Sequence, residues 1–243
     1  MTSINTNVGA LNARSNAITA TGKMENAMQR LSSGLRINSA ADDAAGLAVA
    51  GKMQSQLMGI NMSVRNAQDG IGAIQTAEAG LNEIRNMVLR IRELAVQMAN
   101  GIYENTPDRA NAQLEVTALL NQVDLISSNT DFNDIALLDG TFSAVTIQAG
   151  NTTAETISIS FADVGQSGLS ITGASIATQA SATTVIGTMD SAIETIATQQ
   201  ATMGSLINRL NFSVANLSKA SVMTEQAIGR VMDADFAQET TNL

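Results

Sequence analysis

From Ile60 to Ile102 apolar residues recur in steps of three and four, at positions 60, 64, 67, 71, 74, 77, 81, 84, 88, 91, 95, 98 and 102. That spacing keeps one face of an α-helix apolar over its whole length. The consecutive three-residue steps at 71, 74 and 77 form a stammer, which overwinds a supercoil locally. Ser39-Ala-Ala-Asp42 has capping-box spacing and Asn100-Gly101 is a stop signal, so a helix is expected from about residue 42 to about 99. At 1.5 Å per residue such a helix is ~85 Å long. A compact chain of 243 residues has a radius of gyration of only ~18 Å. The stripe therefore needs partners of similar length, within the chain and on neighbouring molecules, and extended self-assembly is the natural expectation.

Partners of this kind are present. Thr106-Pro107 predicts the start of a second helix, with Thr as N-cap and Pro in the first turn, and with Ala112, Val116, Leu119, Val123 and Ile126 as its stripe. A third long helix is expected over roughly 182–231, where a heptad frame from Met189 to Val231 tolerates Gln200, Ser221 and Thr224 as polar exceptions. A weaker pattern through Ile4, Val8, Leu11, Ile18, Met24, Met28, Leu31 and Leu35 describes a helix that depends on neighbours for its order. Between these lies a segment of different character. Seventeen of the 48 residues from 141 to 188 are Ser or Thr, and the alternation in Thr156–Phe161 and, more loosely, Ala144–Gln148 predicts short strands, entered through a turn at Asp139-Gly140. The fold class is mainly α: an elongated antiparallel helical bundle or coiled-coil rod with a small β-hairpin region.

Composition narrows the chemistry. The chain has no His, no Cys and no Trp, so it lacks the usual soft metal ligands, the thiol nucleophile and the commonest general base. No Lys or Arg occurs between Arg109 and Arg209, where nine acidic residues stand, leaving 13 basic against 13 acidic elsewhere in a chain of net charge −9. An acidic middle between balanced ends opposes nucleic-acid or anionic-membrane binding. The longest apolar run, 44–51, is far short of a membrane span, and the N-terminus has no signal-peptide pattern.

Each catalytic or metal constellation has a plainer reading. Gly70-Ile-Gly72 lacks the third glycine of a dinucleotide loop and sits inside a helical pattern. Asp131-Phe-Asn-Asp134 lacks the spacing and distal Glu of a calcium loop. Lys23, Lys52 and Lys219 belong to solvated helix faces. Met53, Met58, Met62, Met87 and Met98 are at helical spacing and read as packing residues. The four Asn-x-Ser/Thr sequences, at Asn61, Asn151, Asn211 and Asn216, read as chance. No catalytic residue, cofactor or metal site is expected, and the chain is not expected to be an enzyme.

LSSGLRINSAADDAAG at 31–46, RIRELAVQ at 90–97, TDFNDIALLDGTF at 130–142 and MDADFAQETTNL at 232–243 together resemble bacterial flagellin, across about 1–142 and 189–243. The resemblance implies a filament subunit for swimming motility: a helical homopolymer, extracellular, exported without a cleaved signal peptide. It implies a division into 1–43 (N-terminal core helix and spoke), 44–128 and 182–231 (rod), 129–181 (β-hairpin and variable segment) and 232–243 (start of the C-terminal spoke). Large outer domains are absent. The implied partners are other subunits, the flagellar export machinery and its chaperone, hook-associated and cap proteins and the vertebrate Toll-like flagellin receptor; neither nucleic acid nor membrane is among them. Arg90, Leu94 and Glu115 match the receptor-contact positions of the family, which also serve inter-subunit packing. Arg90 and Leu94, at i and i+4, share a face beside the seam, so Leu94 is expected to be an exposed apolar centre with a polar rim.

Family members continue well beyond the motif at 232–243, with a C-terminal helix that pairs with the N-terminal one. This sequence ends at Leu243, and a chain ending there is expected to assemble poorly compared with a longer version. Two other readings share some of these features: a hook–filament junction protein of the same family, and a signalling coiled-coil hairpin, which would need a membrane or sensor segment and would lack the Ser/Thr-rich strands.

Overall fold

The computed structural model describes residues 7–243, except the side chain of Asn242. Its elements are α1 (Val8–Ser33), α2 (Ala44–Met98), α3 (Ala110–Asn129), β1 (Asp131–Phe132), β2 (Ile135–Ala136), β3 (Val145–Gln148), β4 (Thr156–Ile159), α4 (Gln179–Met232) and α5 (Phe236–Asn242). The chain is mainly helical, with long helices in a bundle and two small antiparallel hairpins. It divides into two compact units, one of residues 1–61 with 218–243 and the other of residues 62–217.

In the 62–217 unit the predicted seam is the core. Ala67, Ile74, Ala77, Leu81, Ile84, Val88, Ile91 and Ala95 are fully buried on α2, and Met189, Ile196, Met203 and Leu210 are fully buried on α4. Helices α2 and α4 run antiparallel here. Arg92 Nε donates to Asp190 Oδ1 at 2.6 Å, and ten residues back on α2 Asn82 accepts from Gln200, ten residues on along α4, at 2.7 Å. Gln200, a polar exception in the α4 frame, thus fixes the register, as a polar residue in a seam commonly does. Ile102 closes the numerical repeat but lies past the helix end and is 79% exposed.

Helix α3 starts at Ala110, not at Pro107. Thr106 is extended (φ −140°, ψ 125°) inside a wide turn, Asn105–Arg109, that wraps around the Arg109 side chain before the helix can begin. Val116, Leu120 and Val123 face the core, and polar side chains of α3 tie down the Ser/Thr-rich segment. Gln113 Oε1 accepts from Ile176 N at 2.6 Å, and Asp124 accepts from Gln166 N at 2.8 Å. Ser127, buried, donates to Leu138 O at 2.7 Å. The segment is therefore part of the core: Phe161, Val164, Leu169, Ile171 and Ile176 are buried, and Phe161 stacks on Phe142 at 5.0 Å.

Both expected strands form and pair with each other, with Ile147 opposite Ile157. The hairpin β1–β2 turns through Asn133 and Asp134, whose φ values of 54° and 61° are those of a tight turn. Asp131-Phe-Asn-Asp134 thus serves as a turn. Gly70 of α2 stands at a close approach: a Cβ built on it would lie 2.3 Å from Ile147 Cδ1, so a side chain here would force the Ile147 tip of β3 to move.

In the unit of residues 1–61 and 218–243, α1 ends at Gly34, whose φ of 72° closes the helix through its N–H to Arg30 O. The chain then runs to Asp43, whose side chain accepts from Gly46 N at 2.8 Å and caps α2. The predicted cap pair Ser39/Asp42 forms one turn earlier, as Asp42 accepts from the backbone N–H groups of Asn38 and Ser39 and from the Ser39 hydroxyl. Ser221 and Thr224, the other polar exceptions of α4, bond to Asn61 and to Ala220 O respectively. On α1, Val8, Leu11 and Ile18 are 61%, 57% and 63% exposed. Ile4, expected in the same stripe, lies outside the described residues.

Candidate interaction surface

Arg90 on α2 and Glu115 on α3 are brought together. Arg90 Nε donates to Glu115 Oε1 at 2.9 Å and Nη1 to Glu93 Oε2 at 3.1 Å. Hydrogen bonding to Glu115 first, and to Glu93 second, holds the Arg90 guanidinium above its ordinary value. Both partners of the cross-helix pair are about half exposed, at 49% and 46% of their side chains. Solvent screening makes such a pair a weak contributor to stability, but it presents a fixed donor and acceptor set at the surface.

Leu94 does not join them there. It is 4% exposed and belongs to the core cluster with Ile91, Met98, Val116 and Leu120. The expectation of an exposed apolar centre fails because a strict seam at 88, 91, 95 and 98 is too narrow for this helix. Packing by α4 together with α3 and the Ser/Thr-rich segment widens the buried stripe to include 94. An exposed apolar side chain on α3 is instead Leu114, next to Glu115 in sequence and 71% exposed. The sequence signal for it was present: Leu114 falls outside the α3 stripe.

Arg109 is the residue that sequence reasoning passed over. It is 3% exposed. Its guanidinium donates to Met98 O and Asn100 O at 2.9 Å each, to Asn105 Oδ1 at 3.0 Å and to Tyr103 O. It satisfies carbonyls left open at the end of α2, a helix with no basic residue in its last turn. That missing cation is the signal from which a cap supplied by a later residue could have been inferred.

The motifs at 31–46 and 232–243, far apart in sequence, meet within one unit. Arg36 N donates to Met232 O at 2.6 Å and Ala234 N to Gly34 O at 3.0 Å, while Arg36 Nη2 donates to Val231 O at 2.7 Å. Arg30 pairs with Glu239 at 2.9 Å, the Glu239 side chain being 9% exposed. Asp42 is held below the usual carboxylate value, first by the Ser39 backbone N–H and then by the Ser39 hydroxyl. The result is a junction of opposite chain ends. Among the described residues no group of three acidic side chains is placed to hold a metal ion, and no helix is long and apolar enough to cross a membrane.

Comparison with known proteins supplies the family. A profile of the bacterial flagellin N-terminal helical region matches residues 4–143, and one of the C-terminal helical region matches 186–243. The chain is 37% identical to a flagellin of Halalkalibacterium halodurans, covering 97% of this chain and 87% of that protein. It is also 37% identical to the flagellar filament 33 kDa core protein of Treponema phagedenis, over 97% and 88%. The crystal structure of Bacillus cereus flagellin superposes with a TM-score of 0.58 at 33% identity, covering 63% of this chain and 88% of that one. A putative flagellar hook-associated protein of Vibrio parahaemolyticus superposes with a TM-score of 0.68 at 14% identity, over 79% and 100%, a likeness of fold alone.

Proposed function

We propose that this chain, which belongs to the bacterial flagellin family, is a structural subunit that polymerises into the flagellar filament for swimming motility. The observation that carries the reading is the match of both helical regions of the family, whose end motifs meet through Arg36, Gly34, Met232 and Ala234. The exposed apolar side chains of α1, Val8, Leu11 and Ile18, support it, because a helix face of this kind is stabilised by packing against further helices such as those an assembly brings together. The filament lies outside the cell, and the role is structural, not enzymatic. Export without a cleaved signal peptide, through the flagellar export machinery and its chaperone, is part of the proposal, as is contact with hook-associated and cap proteins. The segments 1–43, 44–128, 129–181, 182–231 and 232–243 are proposed as core helix and spoke, rod, hairpin region, rod and second spoke; Met1–Thr6 lie outside the described residues. Immunogold labelling with antibody against this chain should decorate filament shafts along their length. Label confined to the hook–filament junction would overturn the reading in favour of the junction protein.

Arg90 and Glu115 are proposed as contacts for the Toll-like flagellin receptor and for neighbouring subunits, with Leu94 supporting them from the core. Arg90→Ala and Glu115→Ala should lower receptor signalling and impair polymerisation with helix content unchanged by circular dichroism. Normal signalling by both variants would refute the receptor role, and normal polymerisation the shared surface.

A further inference from the structure

The chain contains one Asn-Gly pair, Asn100-Gly101, and it lies in the exposed loop after α2. Asn100 Oδ1 accepts from Ile102 N at 3.3 Å, which folds the side-chain amide back over the Gly101 peptide. The Gly101 N–H donates no hydrogen bond among the described residues, and glycine leaves its nitrogen open to approach. The α-carbonyl oxygen of Asn100, in contrast, accepts from Arg109 Nη2 at 2.9 Å.

We propose that Asn100-Gly101 is a self-modification site, where deamidation is steered by Arg109 to an isoaspartyl linkage. The Gly101 nitrogen, losing its proton to water or hydroxide, forms a bond to Asn100 Cγ, and the Cγ–NH2 bond breaks with release of ammonia. The product is a five-membered succinimide. Water then opens the ring at one of two carbonyls. Attack at the former side-chain carbonyl gives aspartate. Attack at the α-carbonyl breaks its bond to the Gly101 nitrogen, frees an α-carboxylate and leaves the main chain running through Cβ and Cγ. Arg109 is aimed at the oxygen of this second carbonyl, where it polarises the bond and stabilises the oxyanion of the attack. The freed carboxylate then takes the place of the carbonyl on the same guanidinium, as a stronger, charge-assisted bond. Each older molecule gains a carboxylate at the end of α2, beside the exposed Ile102.

The test incubates the full chain in mildly alkaline buffer at body temperature, folded and in urea. Peptide mapping with electron-transfer fragmentation then separates isoaspartate from aspartate. The folded chain should accumulate isoaspartate at 100, with a ratio to aspartate about threefold or more above that in urea, a small part of what an oriented oxyanion donor supplies in enzymes. Gly101→Ala should slow the reaction about tenfold by crowding the attacking nitrogen. A folded chain that stays unmodified while the urea sample reacts would overturn the proposal. Equal product ratios in the two samples would overturn it as well.

Discussion

Replacing Arg109 by Met keeps most of the apolar stem and removes the guanidinium, so it isolates the cap. Four acceptors lose the guanidinium: three main-chain carbonyls, of Met98, Asn100 and Tyr103, and the Asn105 side chain, with Asn100 O keeping a longer bond from Tyr103 N at 3.4 Å. Met98 is buried at 4% exposure, so its carbonyl bears the full cost of an unsatisfied buried acceptor, about 1–3 kcal/mol. The other acceptors belong to a surface loop that water can reach, and contribute about 0.5 kcal/mol each. Relief of the buried charge offsets part of this. The net loss expected is about 2–4 kcal/mol, and the midpoint of thermal unfolding should fall by roughly 5–15 °C. Lys at the same position, a single compact charge without the fork, should recover about half of the loss. Urea unfolding followed by far-ultraviolet circular dichroism measures both variants against the parent. A loss below about 1 kcal/mol for Arg109→Met would refute the reasoning, because it would mean that water replaces the guanidinium at every carbonyl.

Gly70→Ala should be destabilising in the parent, since the gain of about 1 kcal/mol in helix propensity is outweighed by displacing Ile147 at a cost of about 1–3 kcal/mol. In an Ile147→Ala background the same change should become neutral or stabilising, and a double-mutant cycle by urea unfolding that finds no coupling would remove the contact from the account. Acid unfolding should draw on Asp42 and Asp139, which are held low chiefly by Ser39 and by the Thr141 hydroxyl. Their folded values lie below the unfolded value of about 3.9, so their contribution is present above about pH 4 and is lost as pH falls through the folded values. In Asp42→Asn and Asp139→Asn the acid limb of the stability curve should be shallower, and an unchanged limb would refute the assignment.

What the sequence made legible follows from period. A stripe of one apolar residue every 3.5 positions, sustained from Ile60 to Met98, constrains backbone, burial and partner at once, and the long helices end close to where the stripes and stop signals end. Period could not show how wide the stripe is. Leu94 sits between two seam rows, and whether it is buried depends on a third layer that comes from α3 and from a Ser/Thr-rich segment whose composition suggests solvent. That segment and the chain leading into it are held by polar side chains of α3: Gln113 bonds to Ile176 N, Asp124 to Gln166, Ser127 to Leu138 O. Each bond joins residues many positions apart or placed by a turn, so no local window contains both partners. Arg109 is the sharpest case. Its value lies in carbonyls released where α2 stops, and the stop, the turn and the cation are separately visible in sequence. Only their convergence in space turns an unremarked arginine into the residue that closes the helix and orients the Asn100 carbonyl.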